Sequence, residues 1–232
     1  VREGFVYVRN PMNLQQVSKI QISKEVVECI VFWTKNPRPI IKRLDELLGY
    51  NYYFQFTLTG YEEDIESNVL NKKDEIIPTF QELSRKIGKK KIIWRYDPVI
   101  FTKKYTPEYH LKTFEQVAKK LKGYTEKCVI SFVDWYAKNK KSMKLLGTYE
   151  IGETELLEFA KNISKIASNN EMKIGSCAEK IDLDKCGIEH NSCIDRTLIE
   201  EILGAKLKIE KDKNQRQECG CMESVDIGTY NT

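Results

Sequence analysis

The sequence predicts an α/β protein: a (β/α) barrel or partial barrel of the TIM type, with an irregular cysteine-rich C-terminal tail. Apolar, β-branched runs recur along the chain, amphipathic segments lie between them, and this alternation stops near residue 176. Strands that alternate with helices form βαβ units, which build either a barrel or an open sheet. We therefore expect a barrel-like domain over residues 1–176 and a tail over residues 177–232 that packs on the barrel mouth.

Six runs are predicted to be strands. Five are almost continuously apolar, as expected of parallel strands that are buried on both faces. They are CIVFWT (29–34), YYFQFTLT (52–59), KIIWRYDPVIF (91–101), KCVISFVD (127–134) and MKIGSCAE (172–179), and the shorter run is FVYV (5–8).

Four segments are predicted to be helices. The clearest has Thr106 as its N-cap, Pro107 in its first turn and Gly123 at its end. Its apolar stripe is predicted to be buried, whereas His110 is predicted to lie on its exposed face. The other helices are residues 74–88, residues 153–170 and a short helix from Asp195, as N-cap, through Leu203.

The composition is that of an ordinary globular protein. Apolar residues make up 41% of the 232 positions, and no run approaches the ~18 residues of a membrane span. A net charge of +4 is weak support for nucleic-acid binding, and the lysine runs at 88–91 and 138–144 are typical of solvated turns. No glycine-rich phosphate loop follows a strand, which argues against a nucleotide-binding Rossmann domain. Without a secretion signal, the sequence favours a cytoplasmic protein that does not engage a membrane.

Polar side chains occur at or near the C-terminal ends of the predicted strands. In a (β/α) barrel these ends meet at one mouth, where binding groups collect. Arg95 could clamp a carboxylate or phosphate, and Asp97 or Glu179 could move a proton. The alternative is that Arg95 and Asp97 form a structural ion pair. The candidate cofactor contacts are Lys35, Thr57, Thr59, Arg95, Asp97, Asp134 and Glu179.

Five of the seven cysteines lie between residues 177 and 221. Cys29 and Cys128 sit in apolar runs, where cysteine packs as a small hydrophobic side chain. Clustered thiols in a reducing compartment more often bind a metal or do redox chemistry than form disulfides. Gly220 allows Cys219 and Cys221 to ligate a metal from one turn. The spacing leaves the metal open between iron–sulfur and zinc, with free or redox-active thiols as the alternative.

Several motifs together resemble the uncharacterised DUF1848 family. The most specific are WRYDP and CGC, and the others include GFVYVRNPMN, VVECIVFWTKNP, SCAEKIDL, SCID and DIGTYNT. In that family the pattern continues after DIGTYNT with Cys-x3-Cys-x2-Cys, the cluster motif of radical S-adenosylmethionine enzymes. The resemblance implies an enzyme of that type whose cluster motif is not among these 232 residues.

The resemblance also implies cofactors and partners. The cofactors are a [4Fe–4S] cluster and S-adenosylmethionine, with zinc as the alternative metal, and an electron donor such as a flavodoxin or ferredoxin would be required. The substrate is unknown, and nucleic acid is one candidate because the cluster motif region looks like that of a DNA-repair lyase. Family motif positions include Cys177, Cys193, Cys219 and Cys221; we expect these four thiols to converge on one metal centre, a [4Fe–4S] cluster rather than zinc, whereas Cys186 is predicted to be a bystander. The alternative function is a non-catalytic metal-binding or nucleic-acid-binding module with a structural four-cysteine metal site.

Overall fold

The chain begins with a β-hairpin. In the computed structural model, which describes residues 2–10, 13–133 and 140–228, strands β1 (Phe5–Asn10) and β2 (Asn13–Gln21) pair antiparallel as a separate sheet. The sequence predicts the first strand but not the second, because NLQQVSKIQ is mostly polar and carries no regular apolar alternation.

Six further strands form one parallel sheet in which each strand neighbours the next one along the chain. They are β3 (Ile30–Thr34), β4 (Tyr52–Thr57), β5 (Ile92–Val99), β6 (Lys127–Phe132), β7 (Lys173–Cys177) and β8 (Glu189–Asn191). The α/β class and the five long strands are confirmed. Strand β8 was not predicted, because its three polar residues give no strand signal. Within the described ranges the sheet is open, with β3 and β8 at its edges, so a closed eight-stranded barrel is not observed.

The helices follow the strands. They are α1 (Arg38–Ile41), α2 (Ile77–Ile87), α3 (Pro107–Leu121), α4 (Lys140–Leu145), α5 (Glu153–Asn169) and α6 (Arg196–Leu203). The predicted caps are present. Thr106 Oγ1 accepts a hydrogen bond from Tyr109 N at 3.2 Å, and Asp195 Oδ1 accepts one from Leu198 N at 3.2 Å. Each cap satisfies an N–H group that the first helical turn would otherwise leave unpaired.

One face of the sheet is covered by α2, α3 and α5. Because side chains alternate along a strand, Phe54, Phe56, Trp94 and Tyr96 all point to this face, where they enter the main core. The main core also contains Cys128, which is fully buried, as predicted. In the described ranges, no helix has the length and apolar character needed to cross a bilayer.

The prediction for His110 is wrong. Its side chain is fully buried, with Nε2 3.0 Å from the carbonyl oxygen of Ile100 and Nδ1 2.9 Å from the hydroxyl oxygen of Tyr96. The carbonyl can only accept, so Nε2 carries the proton and Nδ1 accepts from Tyr96. Burial lowers the pKa of His110 to about 4, which leaves the ring neutral at pH 7. The helical pattern could not reveal this, because the partners come from β5 and the segment that follows it.

The opposite face of the sheet is the tail face, which carries Tyr53, Ile93 and Val129. These three side chains pack against Ile199 of α6 and Met222. The segment beyond residue 176 thus adds β8 to the sheet edge and covers the tail face with α6 and with later residues. This arrangement brings the late cysteines to the sheet.

Candidate metal centre

Four cysteines from separate parts of the chain meet on the tail face. Cys177 ends β7, Cys193 lies between β8 and α6, and Cys219 and Cys221 follow α6. The last three are each 7% exposed, and Cys177 packs against them. Cys177 Sγ lies 3.0 Å from Cys193 Sγ, and all four are free thiols. We call this group the thiol cluster. Cys186 lies outside it, with its sulfur 3.6 Å from the carbonyl oxygen of Leu157.

Hydrogen-bond donors surround the sulfurs. The backbone N–H groups of Cys193 and Ile194 both point to Cys221 Sγ, at 3.2 and 3.3 Å. Arg95 Nη1 donates to Cys193 Sγ at 2.8 Å. Donors of this kind stabilise a thiolate over a thiol. The cluster can therefore carry negative charge although it is buried.

The thiols also influence one another. Sulfur–sulfur hydrogen bonding with Cys193 lowers the pKa of Cys177 and of Cys221 below the usual cysteine value. The same contacts and burial raise the pKa of Cys193, whose one thiol proton can serve a single neighbouring sulfur at a time. Burial raises the pKa of Cys219 to about 11. The cluster thus holds protons on some sulfurs and thiolate character on others.

The sheet fixes the position of the Cys193 loop. The Tyr53 hydroxyl and the Gln55 side-chain amide both donate to the carbonyl oxygen of Cys193, at 2.5 and 2.9 Å. At the next turn, Lys127 Nζ lies 2.9 Å from the Asp195 carboxylate. This role of Tyr53 and Gln55 was not predicted from the sequence. The available signal was a glutamine in the middle of a buried apolar strand.

Arg95 connects the thiol cluster to a carboxylate. Arg95 and Asp97 form a two-pronged ion pair, with Nε 2.9 Å from Oδ1 and Nη2 in contact with Oδ2. Burial alone would lower the pKa of Arg95, but the hydrogen bonds and charge of Asp97 outweigh burial and raise it, so the guanidinium stays protonated. The ion pair considered as an alternative in the sequence is therefore present. Binding of a cofactor by either residue stays a prediction.

A second polar group lies beyond the ends of β3 and β4. Glu66, 8% exposed, contacts the ammonium groups of Lys35 and Lys72 and accepts a hydrogen bond from Thr59 Oγ1 at 2.8 Å. Burial alone would raise the pKa of Glu66, but the hydrogen bonds from the two lysines outweigh it and lower the pKa. Lys35 and Thr59 are thus brought together by the carboxylate of Glu66, which was not among the predicted site residues.

The other candidates are placed separately. Thr57 is the register partner of Arg95 on the neighbouring strand, and Glu179 Oε1 accepts a hydrogen bond from Phe132 N at 2.7 Å. Asp134 lies outside the described residues. A surface cavity of about 320 Å³, lined in part by Asp64 and Lys104, contains none of the predicted cofactor contacts.

The donor set of the thiol cluster fits a thiophilic ion such as Zn²⁺, because it offers four sulfurs and several N–H donors. Across the described ranges, however, no group of three or more histidine, cysteine, aspartate or glutamate side chains is already spaced as a metal site. Cys177 Sγ and Cys193 Sγ, at 3.0 Å, are in contact. Two sulfurs on a tetrahedral ion stand about 3.8 Å apart when the metal–sulfur bonds are ~2.3 Å. Metal binding therefore requires the sulfurs to separate.

Comparison with known proteins gives a family and no function. A search among curated proteins returned no significant match. The model of the DUF1848 family, described as a domain of unknown function, matches residues 1–232. Because this match spans all of the sequence, the chain belongs to the DUF1848 family.

Proposed function

We propose that the domain binds one metal ion through Cys177, Cys193, Cys219 and Cys221. The observation that carries the proposal is the convergence of three buried sulfurs and the half-buried sulfur of Cys177 around N–H donors. Buried unpaired thiols need no such donors, because a neutral thiol is only a weak hydrogen-bonding group. A metal-bound thiolate does need them, because its negative charge has left water.

The sulfur spacing favours a single ion over a [4Fe–4S] cluster at these four cysteines, which is the occupant expected from the sequence. A separation of 3.0 Å between Cys177 and Cys193 sulfurs must widen by somewhat under 1 Å, to about 3.8 Å, for a tetrahedral ion. The ligands of a four-iron cluster stand farther apart, so the loop and the tail would have to move more. Zn²⁺ is the simplest occupant, and its role is structural, because four protein ligands leave no open position.

The metal would hold the tail in place. After α6, regular backbone pairing in the described residues is limited to a bridge between Lys211 and Met222. A metal that joins Cys219 and Cys221 to β7 and the Cys193 loop replaces the missing backbone bonds. Binding free energy of this kind is folding free energy, because the unfolded chain has no preformed site. A domain with several free thiols requires a reducing compartment, and we place it in the cytoplasm.

Metal analysis of anaerobically purified protein tests the proposal. We expect about one equivalent of zinc and a colourless protein, whereas an iron–sulfur cluster would give a brown protein. Cys219→Ser should abolish stoichiometric binding, and Cys186→Ser, a buried cysteine outside the cluster, should retain it. Protein that contains neither zinc nor iron, or a Cys186→Ser variant that loses metal to the same extent, would refute the four-cysteine site.

A second candidate is an enzyme of the radical S-adenosylmethionine type on a partial barrel. Consecutive parallel strands with polar groups in or beyond their C-terminal halves favour it, because this is the order of strands in a (β/α) barrel wall and its active site lies at the C-terminal ends of the strands. The 232 residues contain no Cys-x3-Cys-x2-Cys, so they do not fit the catalytic cluster and no reaction step is assigned to them. The function needs a protein in which that motif follows this domain.

Such a protein, reconstituted anaerobically with iron, sulfide and a reduced flavodoxin or ferredoxin, should release 5′-deoxyadenosine from S-adenosylmethionine. A fully loaded cluster without this product would exclude the activity. Nucleic-acid binding receives less support. Lys89 pairs with Glu126 at 3.1 Å, and the Lys91 ammonium lies 5.5 Å from the Tyr52 ring centroid, so this lysine run is engaged within the chain.

A further inference from the structure

The side chain of Asn191 stands apart from the other buried polar groups. It is 4% exposed and lies in β8. In the described part of the chain, its Nδ2 and Oδ1 are the only buried side-chain nitrogen and oxygen atoms without a hydrogen-bond partner. Buried polar groups are normally paired, because an unpaired one has lost its water without compensation. Such an amide is expected to meet its partner in another state of the protein.

Asn191 lies next to the thiol cluster. It is the register partner of Cys177 in the parallel pair of β7 and β8, so both side chains leave the sheet on the same face. Neighbouring strands are about 4.8 Å apart, which is within reach of a carboxamide. Gly175 leaves room for the side chain of Asn191, because a Cβ at residue 175 would lie 2.9 Å from the Cβ of Asn191.

We propose that Asn191 is a positioning residue of the metal centre and that its amide N–H donates to the sulfur of Cys177 in the metal-bound protein. This inference rests on the proposed four-cysteine site. The sulfur of Cys193 lies 3.0 Å from Cys177 Sγ. Two sulfurs on a tetrahedral ion stand about 3.8 Å apart, so metal binding separates them and leaves room for another donor at Cys177.

The negative charge of the proposed metal centre is a second argument for Asn191. Four thiolates carry more negative charge than one divalent ion neutralises, and the excess has to be met by nearby donors. Arg95 donates a hydrogen bond to Cys193, and two backbone N–H groups donate to Cys221. Asn191 provides an amide that is not already engaged and that lies beside Cys177.

The test compares metal affinity with stability in the full chain. Asn191→Leu, with a side chain of similar volume, should leave the metal-free protein as stable as wild type or more stable, because no hydrogen bond is lost. Its zinc affinity, measured by competition with a chromophoric chelator, should fall about 10- to 100-fold, as is typical when a partner of a metal ligand is removed. Asn191→Asp, nearly isosteric but without a donor and with added negative charge, should lose at least as much affinity.

Cobalt substitution gives a second measurement. The sulfur-to-cobalt charge-transfer band should shift in Asn191→Leu, because the donor changes the electron density on sulfur. The matched control is Asn170→Leu, which removes a buried amide that donates to the Ile166 carbonyl at 2.8 Å away from the cluster. It should lose stability and keep both metal affinity and the cobalt spectrum.

The possible outcomes separate the two proposals. A wild-type protein that binds no metal overturns the four-cysteine site and this inference together. Zinc affinities within twofold of wild type in both Asn191 variants, with an unchanged cobalt band, overturn this inference and leave the site standing. If Asn191→Asp binds zinc as wild type does while Asn191→Leu does not, residue 191 acts through an ordered water, and the donor role is again overturned.

Discussion

Replacing Arg95 by methionine should destabilise the fold far more than the loss of an ordinary ion pair. Methionine keeps the apolar stem and removes the guanidinium, which leaves the Asp97 carboxylate without its partner. The two side chains are only 6% and 13% exposed. Breaking a buried pair by removing one member costs about 3–5 kcal/mol, because an uncompensated charge stays in the protein. We therefore expect the free energy of unfolding to fall by about that amount.

A matched surface variant and a double variant test the origin of this cost. Arg38→Met breaks the Arg38–Glu75 pair, at 2.9 Å, whose members are 45% and 37% exposed, and it should cost at most about 1 kcal/mol. Arg95→Met combined with Asp97→Leu removes both charges together. The double variant should recover most of the loss, since replacing a buried pair by apolar groups is often nearly neutral.

Urea unfolding at constant metal content, followed by tryptophan fluorescence, measures these three variants and the single variant Asp97→Leu. Trp94 is a suitable probe because it is fully buried next to Arg95 and stacks on Phe114, with ring centroids 4.5 Å apart. An Arg95→Met cost no larger than that of Arg38→Met would refute the buried-charge argument. So would a double variant whose cost equals the sum of the two single changes.

Three further predictions concern other parts of the fold. The pKa of His110 is lowered to about 4 in the folded chain, whereas the unfolded side chain takes up a proton near pH 6.5. The free energy of unfolding of wild type should therefore fall by up to about 3 kcal/mol between pH 7 and pH 4. His110→Gln should lack this loss when unfolding is measured at both pH values. Gly220→Ala should weaken zinc binding, because its Cβ would overlap the hydroxyl of Ser192, and an added Ser192→Ala change should restore binding. If the added change does not restore binding, this overlap is not the cause. Lys72→Met should cost about 2 kcal/mol or more and Lys35→Met under about 1, because their side chains are 22% and 50% exposed; equal losses in urea unfolding would contradict this.

The long elements of the fold could be predicted from the sequence because each carries its own local signal. Apolar runs such as CIVFWT mark buried parallel strands, and Thr106 and Asp195 mark helix starts by their capping chemistry. The strand β8 has no such signal, because three residues define no period. Whether the sheet closes is also not encoded locally, since closure depends on the number and tilt of strands that meet at its edges.

The residue types that form the candidate site could be predicted from the sequence, but the contacts between them could not. The CGC segment and the late cysteines pointed to a thiol centre, and the strand alternation put Arg95 and Asp97 on one face. The partners Tyr53 and Asn191 escaped notice because their roles depend on chain segments that are distant in sequence. A tyrosine or asparagine in a strand is ordinary until the neighbouring loop is known.

The consecutive order of the strands has a consequence for biosynthesis. A ribosome delivers β3 to β8 one after another, and each emerging strand finds its only earlier neighbour already made. The side chains that hold the Cys193 loop, Tyr53, Gln55 and Arg95, are therefore in place before any residue of the thiol cluster is synthesised. Cys221, which receives two backbone N–H groups, comes last. A chain halted before it would present a finished sheet and an unfinished set of sulfurs, open to oxidation and to the wrong metal.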